Sequence, residues 1–294
     1  TASGISKGAR SDYVTYYNSY SKKPQPKILL IFPPITIPCG TMKRCVPPLG
    51  LCYIAAVLRK EGFDVSIFDT VVEGYEIELT SEDNSLITYG LDTERIRERI
   101  EKERPGLVGI STIFSTDLHN LYNVAGIVKK WNPEVPVVVG GLHPTIYPKE
   151  VLSESIQNGT RTIDFIIRGE GEWRMPRLLK DLMNNKIDMA SDGLCGWHNG
   201  KMFINFDQMR IEDINSLPFP AYELLPLERY FSINVPFSPV PQGKRVLPVL
   251  TSRGCPIGCN FCASTNMYHK YIARSPDNVI QELIELKKRY KKIY

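Results

Sequence analysis

Two hydrophobic rhythms alternate along this chain. Ile28–Phe32 is a continuous apolar run that stops at Pro33-Pro34, the texture of a strand buried on both faces of a parallel sheet. After Pro47-Pro48 the period lengthens. Leu51, Ile54, Ala55 and Leu58 share one helical face, and Gly62 ends the helix. Residues 65–68 predict a second strand, ending at Asp69. The alternation then returns three times. An Arg- and Glu-rich helix near Thr93–Glu103 leads to a strand at Leu107–Ser111. A helix over 117–131 leads to a strand at 135–139 that runs into Gly140-Gly141. A short helix after Pro148 leads to a strand at 164–167, then Gly169-Glu170-Gly171-Glu172 and another helix. Five βα units in series predict an α/β fold: a doubly wound, parallel, five-stranded sheet whose ligand lies at the carboxyl ends of the strands.

The rest of the pattern is less regular. Residues 1–26 are polar, without sustained period, and read as a mobile or loosely docked leader. Residues 74–90 read as a long structureless loop, hence a functional loop or cap. Residues 193–206 alternate around Asn199-Gly200, a strong hairpin signal. Residues 212–243 are dotted with Pro218, Pro220, Pro226, Pro236, Pro239 and Pro241, as in a connecting segment. A new apolar strand is expected at 246–251, before a cysteine-bearing loop. From Pro276 a helix follows, with Val279, Ile280, Leu283, Ile284 and Leu286 on a broad apolar face. One βα unit cannot bury its own apolar face, so this last unit is expected to open a larger domain that lies mostly beyond the chain. The expected division is a leader at 1–26, a first domain at 27–190, a hairpin and linker at 191–243, and the start of a second domain at 244–294.

Composition narrows the classes. With 43% hydrophobic and 23% charged residues, the 294-residue chain is not wholly disordered. Its longest nearly apolar run, 49–58, falls far short of the roughly 20 residues that span a bilayer, so no membrane span is expected. A net charge of +4, much of it in Lys287, Lys288, Arg289, Lys291 and Lys292, reads as a solvated helix end and does not imply nucleic acid. The chain begins at Thr1 and has no visible apolar signal-peptide core. Seven cysteines, three of them within eight residues, do not form a disulfide framework and fit a reducing cytoplasm.

Those three are the most specific feature of the sequence. Cys255-Pro256-Ile257-Gly258-Cys259-Asn260-Phe261-Cys262 places thiols at spacings of four and three, able to serve one soft-metal centre. A structural zinc site completed by His269 is the alternative, at a spacing long against the usual pattern. The loop resembles the signature of the radical SAM enzymes, C-x3-C-x2-C with an aromatic before the last cysteine. That resemblance implies a (β/α) barrel beginning at 246–251 and a 4Fe–4S cluster on Cys255, Cys259 and Cys262. It further implies S-adenosylmethionine on the open iron, with Phe261 near its adenine.

The first domain carries a second resemblance. Ser111-Thr112-Ile113 closes the third strand, and Gly140-Gly141-Leu142-His143 follows the fourth. Glycine at a strand end lets a large flat ligand approach the backbone. Together with Pro47-Pro48-Leu49-Gly50 and the Gly169-Glu170-Gly171-Glu172 turn, these segments resemble the cobalamin-binding domain that precedes many cobalamin-dependent radical SAM enzymes. The implied cobalamin contacts are Pro34, Thr36, Ser111, Thr112, Ile113, Gly140, Gly141, Leu142, His143, Gly169, Glu170 and Gly171. The resemblance implies methylation of an unactivated centre: a 5′-deoxyadenosyl radical takes hydrogen from the substrate, which then takes a methyl group from methylcobalamin. Another radical reaction with the same cofactors, such as the ring closure of the anaerobic magnesium-porphyrin cyclase, remains open. So does a cobalamin-binding carrier with a zinc-stabilised tail. A small-molecule or natural-product substrate and an electron donor such as flavodoxin or ferredoxin are implied partners. No side chain is singled out as catalytic.

Two departures qualify the match. The first strand leads to Pro33-Pro34-Ile35-Thr36 and lacks the Asp-x-His-x-x-Gly element by which mutases ligate cobalt. Asp117-Leu118-His119 imitates its start, but Tyr122 replaces the glycine, and His119 reads as a helix-surface residue. Gly169-x-Gly171 fails the dinucleotide fingerprint, because Arg174 stands where the third glycine belongs. Cys39, Cys45 and Cys52 read as buried or incidental thiols, and Cys195 and His198, in the hairpin, as structural. Glu170 and Glu172 are either an acid–base pair or capping and hydrogen-bonding groups.

Overall fold

The computed structural model describes residues 25–206, 210–235, 245–268, 270–290 and 293. Most of the expected leader, Pro236, Pro239, Pro241, His269, Lys291 and Lys292 lie outside the described residues. The chain forms β1 (Ile28–Phe32), β2 (Ile35–Pro38), α1 (Leu49–Lys60), β3 (Val65–Asp69), β4 (Glu78–Thr80) and β5 (Leu86–Tyr89). Next come α2 (Thr93–Glu103), β6 (Leu107–Ser111), α3 (Leu118–Trp131), β7 (Val137–Gly140), α4 (Leu142–Ile146) and α5 (Pro148–Glu154). They are followed by β8 (Phe165–Ile167), α6 (Gly171–Met183), β9 (Leu194–His198), β10 (Lys201–Phe203) and α7 (Leu227–Ile233). The last elements are β11 (Ser252–Arg253), α8 (Ser264–Met267), β12 (Ile272–Ala273) and α9 (Pro276–Arg289).

The main sheet has the order β10-β9-β8-β7-β6-β1-β3. Its five strands β3, β1, β6, β7 and β8 are parallel, as the sequence predicts. Leu30 pairs with Ile67 on one side and Gly109 on the other, so the winding reverses between β1 and β6. Sheets of this order hold ligands beyond that reversal, at the carboxyl ends of the strands. The continuous apolar run of β1 is explained by its two faces. Ile28 and Leu30 join a core with Leu51 and Leu58 of α1 and Leu178 of α6, whereas Leu29 and Ile31 join one with Ile96 of α2, Val124 of α3 and Val151 of α5.

Three expectations are corrected. The hairpin expected in the linker is part of the main sheet, because β9 pairs antiparallel with β8 through Ile166 and Cys195 and carries β10 at the edge. Residues 74–90 are not structureless: β4 and β5 pair with β2 in a separate three-stranded sheet. These strands are three and four residues long and mix polar with apolar residues, so they carry no period. Residues 246–251 do not form a strand. A barrel strand needs ladders on both sides; among the described residues pairing starts only at Ser252, where β11 meets β12 on one side, and before it there is only an isolated bridge, Arg245 to Ile293.

The connecting segment and the C-terminal unit both pack onto the first domain. Tyr222, Tyr230, Leu247 and Leu286 are buried in the same core as Leu30 and Phe165. Ala221 N–H donates to Cys52 O at 3.1 Å. The Tyr230 hydroxyl donates to Asp69, whose other oxygen caps the backbone N–H groups of Val71 and Val72 at 2.8 and 3.3 Å.

Candidate functional site

Beyond the carboxyl ends of β1, β6, β7 and β8 lies a cleft with about 730 Å³ of empty space, part of it open solvent. Its floor includes Ile110, Ser111, Val139, Gly140 and Gly141. Gly50 and Ile54 of α1 and Met175 of α6 form one wall. Arg253, Met267 and Tyr268 of the C-terminal unit form another. The cleft therefore lies between the sheet and the cysteine-bearing segment.

The strand ends are shaped by one buried hydroxyl. Thr145 Oγ1 donates to Gly141 O at 2.7 Å and accepts from Gly169 N–H at 3.0 Å, joining the turns after β7 and β8. Gly141 has φ +112°, and a Cβ there would meet Thr112 O at 1.9 Å. Glycine is thus required at 141 by backbone conformation and by its contact with Thr112, not by an approaching ligand. Gly140 differs: a Cβ there would meet only Ile167 O, at an ordinary 3.5 Å.

Of the twelve contacts expected in this region, Ser111, Gly140, Gly141, Gly169, Glu170 and Gly171 line the cleft. Pro34 and Thr36 are buried away from it. Thr36 N–H donates to Asp117 Oδ1 at 2.9 Å, and its hydroxyl meets Thr88 Oγ1, Asn120 Nδ2 and His119 Nε2 at 2.7–3.1 Å. The exposed His119 is thus a surface residue, as expected, that also braces Thr36. Burial raises the Asp117 carboxyl to about 6, against the lowering effect of the Thr36 N–H. Thr112 is buried, and its hydroxyl has no partner among the described residues. Ile113 and Phe114 are exposed at the strand end. His143 Nδ1 meets Ser115 Oγ at 2.8 Å, and the ring lies 5.0 Å from that of Tyr147. Burial lowers its pKa below that of free imidazole.

The cysteine loop stands open beside this cleft. Cys255 is exposed and Cys259 and Cys262 are half-buried, and none of the three is in a disulfide. Hydrogen bonds from the side chain and backbone of Ser264 lower the Cys262 pKa, favouring its thiolate. Phe261 is 92% exposed. Cys45 and Cys52 are buried and their thiol pKa values pushed up by desolvation, and Cys195 likewise, in keeping with structural roles.

Sequence reasoning missed Arg253. Its guanidinium donates to Glu170 Oε1 at 2.6 Å and to Glu172, with all three side chains buried. Burial opposes the charge on Arg253, but Glu172 and Glu170 more than offset it, so its pKa is raised. Glu170 also accepts from Ile211 N–H at 2.7 Å, so the two carboxylates hydrogen-bond rather than act as an acid–base pair. The available signal was an arginine two residues before the cysteine motif and two carboxylates two apart after a strand.

The family model described as B12 binding domain matches residues 35–179. The chain is 32% identical to the cytidylyl-2-hydroxyethylphosphonate methyltransferase of Streptomyces wedmorensis, over 90% of this chain and 53% of that protein. It is 35% identical to an uncharacterized methyltransferase of Pyrococcus horikoshii, over 90% of this chain and 51% of that one. Among solved structures, the cobalamin-dependent S-adenosylmethionine radical enzyme OxsB with aqua-cobalamin and S-adenosylmethionine bound superposes with a TM-score of 0.67. That match has 17% identity and covers 91% of this chain and 33% of OxsB. Residues 35–179 thus match a B12 binding domain, and nine-tenths of the chain is similar to these methyltransferases. The chain spans about half the length of the two methyltransferases.

The residues present fit the groups used by cobalamin-dependent radical SAM enzymes. The strand-end cleft is mostly apolar and has room above Gly140. The cysteine loop offers three thiols outside any disulfide, one with a lowered pKa. Among the described residues no three Cys, His, Asp or Glu side chains converge as a single ion requires. A four-iron cluster takes its thiolates at separate corners and does not need that convergence. No helix among the described residues is long and apolar enough to cross a membrane.

Proposed function

We propose that this chain is the cofactor-holding part of a methyltransferase that acts on an unactivated centre of a small molecule. The observation that carries the reading is the cleft at the ends of β1, β6, β7 and β8, walled on one side by residues that flank the cysteine loop. Residues 27–190, extended by the hairpin to Phe203, form the cobalamin-binding domain, and 244–294 open the radical SAM domain. When bound, the cluster with S-adenosylmethionine supplies one-electron activation of a carbon–hydrogen bond, and cobalamin supplies the methyl group.

The protein's own work is positional. Cys255, Cys259 and Cys262 hold the cluster, and Ser264 keeps Cys262 ready as thiolate. The exposed Phe261 gives a flat apolar face to the adenine of S-adenosylmethionine. Ser111, Gly140, Gly141 and the Gly169–Gly171 turn form the platform for cobalamin, with Ile113, Leu142 and His143 at its margin. Ile54, Met175, Met267 and Tyr268 keep water from the space between. A reducing cytoplasm with a flavodoxin- or ferredoxin-type electron donor suits this chemistry.

The test uses the full-length protein, reconstituted anaerobically with iron, sulfide and cobalamin and given S-adenosylmethionine with a labelled methyl group. About four irons per chain and a labelled product are expected. Zinc in place of iron would leave a cobalamin carrier. Deoxyadenosine without methyl transfer would indicate another radical reaction.

A further inference from the structure

We infer that Arg253 is a positioning residue that sets the cysteine loop in register with the cobalamin cleft, a role that rests on the function proposed above. The residue lies two positions before Cys255, in β11, where it pairs with Ile272. Its backbone therefore belongs to the cysteine-bearing unit, while its side chain crosses to the turn after β8. Nη1 donates to Glu170 Oε1 at 2.6 Å and Nη2 donates to Glu172 Oε1, over 83 and 81 residues of sequence. The planar guanidinium holds its two terminal nitrogens in fixed relation, so a different carboxylate on each restricts rotation as well as distance. A lysine ammonium cannot do this.

Three further features make the contact a clamp rather than a surface ion pair. All three side chains are at most 8% exposed, where water screens little. Glu170 is held independently, since its second oxygen accepts from Ile211 N–H of the connecting segment at 2.7 Å. Glu172 lies in the first turn of α6, whose amino-terminal N–H groups favour the second negative charge. On the far side, Gly254 (φ +85°) turns the chain immediately into the cysteine loop, and a Cβ there would meet Lys270 O at 2.1 Å. Rotation of the guanidinium is thus transmitted through one tight turn to Cys255. Arg253, Glu170 and Glu172 all line the cleft, so the clamp is part of the wall that cobalamin would meet when bound.

The experiment compares full-length unmodified protein, Arg253→Ala, Arg253→Lys and Glu172→Gln, each reconstituted with iron, sulfide and cobalamin. Iron and cobalt content is measured first. The magnetic coupling between cob(II)alamin and the reduced cluster is then read by electron paramagnetic resonance. Unmodified protein is expected to give one well-defined coupling. The variants are expected to keep both metals but lose that single coupling for a broad distribution, with Arg253→Lys no better than Arg253→Ala. Unchanged coupling in Arg253→Ala with both metals retained overturns the clamp. If Arg253→Ala holds no iron, the near-isosteric Glu172→Gln decides by the same comparison. No iron in the unmodified protein instead overturns the cofactor reading, with the clamp then judged by amide hydrogen exchange of 252–254, expected to rise at least about tenfold in Glu172→Gln if the contact holds the turn.

Discussion

Gly141 approaches Thr112 so closely that a Cβ at 141 would lie 1.9 Å from the Thr112 carbonyl oxygen. The glycine pair after β7 therefore divides its work: Gly141 lets two strand ends meet, and Gly140 leaves the cleft open. Gly141→Ala is expected to destabilise the fold by more than the about 1–3 kcal/mol of its backbone strain, because Thr112 must also move. Gly140→Leu should leave the urea midpoint nearly unchanged yet weaken cobalamin binding at least about tenfold, by filling the cleft. Urea unfolding and equilibrium dialysis check the pair. Equal loss of stability in both would refute the division.

Replacing Cys255, Cys259 or Cys262 with Ala is expected to bring iron and acid-labile sulfide to background while cobalamin uptake persists. The thiols stand on an open loop, and the strand-end platform is built by other residues. Metal analysis beside the visible spectrum of bound cobalamin tests this. Variants that lose cobalamin and keep iron would contradict it.

Cobalt is expected to lack a protein nitrogen below it. The chain has four histidines, none before His119, so the loop after β1 has no imidazole to offer. His119 is tied to Thr36, while His143 is held by Ser115 and lies outside the cleft lining. A weak lower ligand suits methyl transfer to a radical, since withdrawing axial donation eases departure of the methyl group. The Co(II) resonance should show no protein nitrogen splitting, and His143→Ala should leave it unchanged. Splitting that vanishes in His143→Ala would disprove this.

Asp69 is expected to make stability fall as pH rises. Burial lifts its carboxyl from 3.8 to about 6, against hydrogen bonds from Tyr230, Val71 and Val72; Glu73 also raises it, and the thiols of Cys45 and Cys52 lie within its field. A raised folded-state pKa means the folded protein binds the proton more tightly. The contribution is complete below about pH 4 and lost as pH passes through about 6, with an upper bound of about 3 kcal/mol. Asp69→Asn removes this titration. Urea unfolding between pH 4 and 7 should show the stability difference, unmodified minus Asp69→Asn, declining with pH; a flat or rising difference would contradict the sign.

The parallel sheet was legible because strands buried on both faces leave unbroken apolar runs, as at Ile28–Phe32, and because the helices between them keep one apolar stripe. The β2-β5-β4 sheet was not. Glu78-Leu79-Thr80 is wholly exposed, and pairing rather than burial decides its conformation. The expected strand at 246–251 shows the converse: apolar residues favour a strand, but a ladder needs neighbours. Within the site, strand-end glycines and the cysteine triad could be found by spacing. The role of Thr145 could not, since its hydroxyl acts between segments 28 residues apart by way of Gly141 and Gly169. Arg253 was hidden for a similar reason. Charged residues read locally as solvent-facing, and only the fold brings it to carboxylates 81 and 83 positions away.

Tyr222, Tyr230, Leu247 and Leu286 sit in the core that also contains Leu30 and Phe165. Exchange of either unit for the corresponding piece of a distant relative would set mismatched side chains face to face across that core. Recombination within the proline-dotted connection is therefore penalised, because Tyr222 and Tyr230 of that connection are themselves part of the core. The two halves pack as one body, so a change of side-chain volume in one is expected to need a matching change in the other.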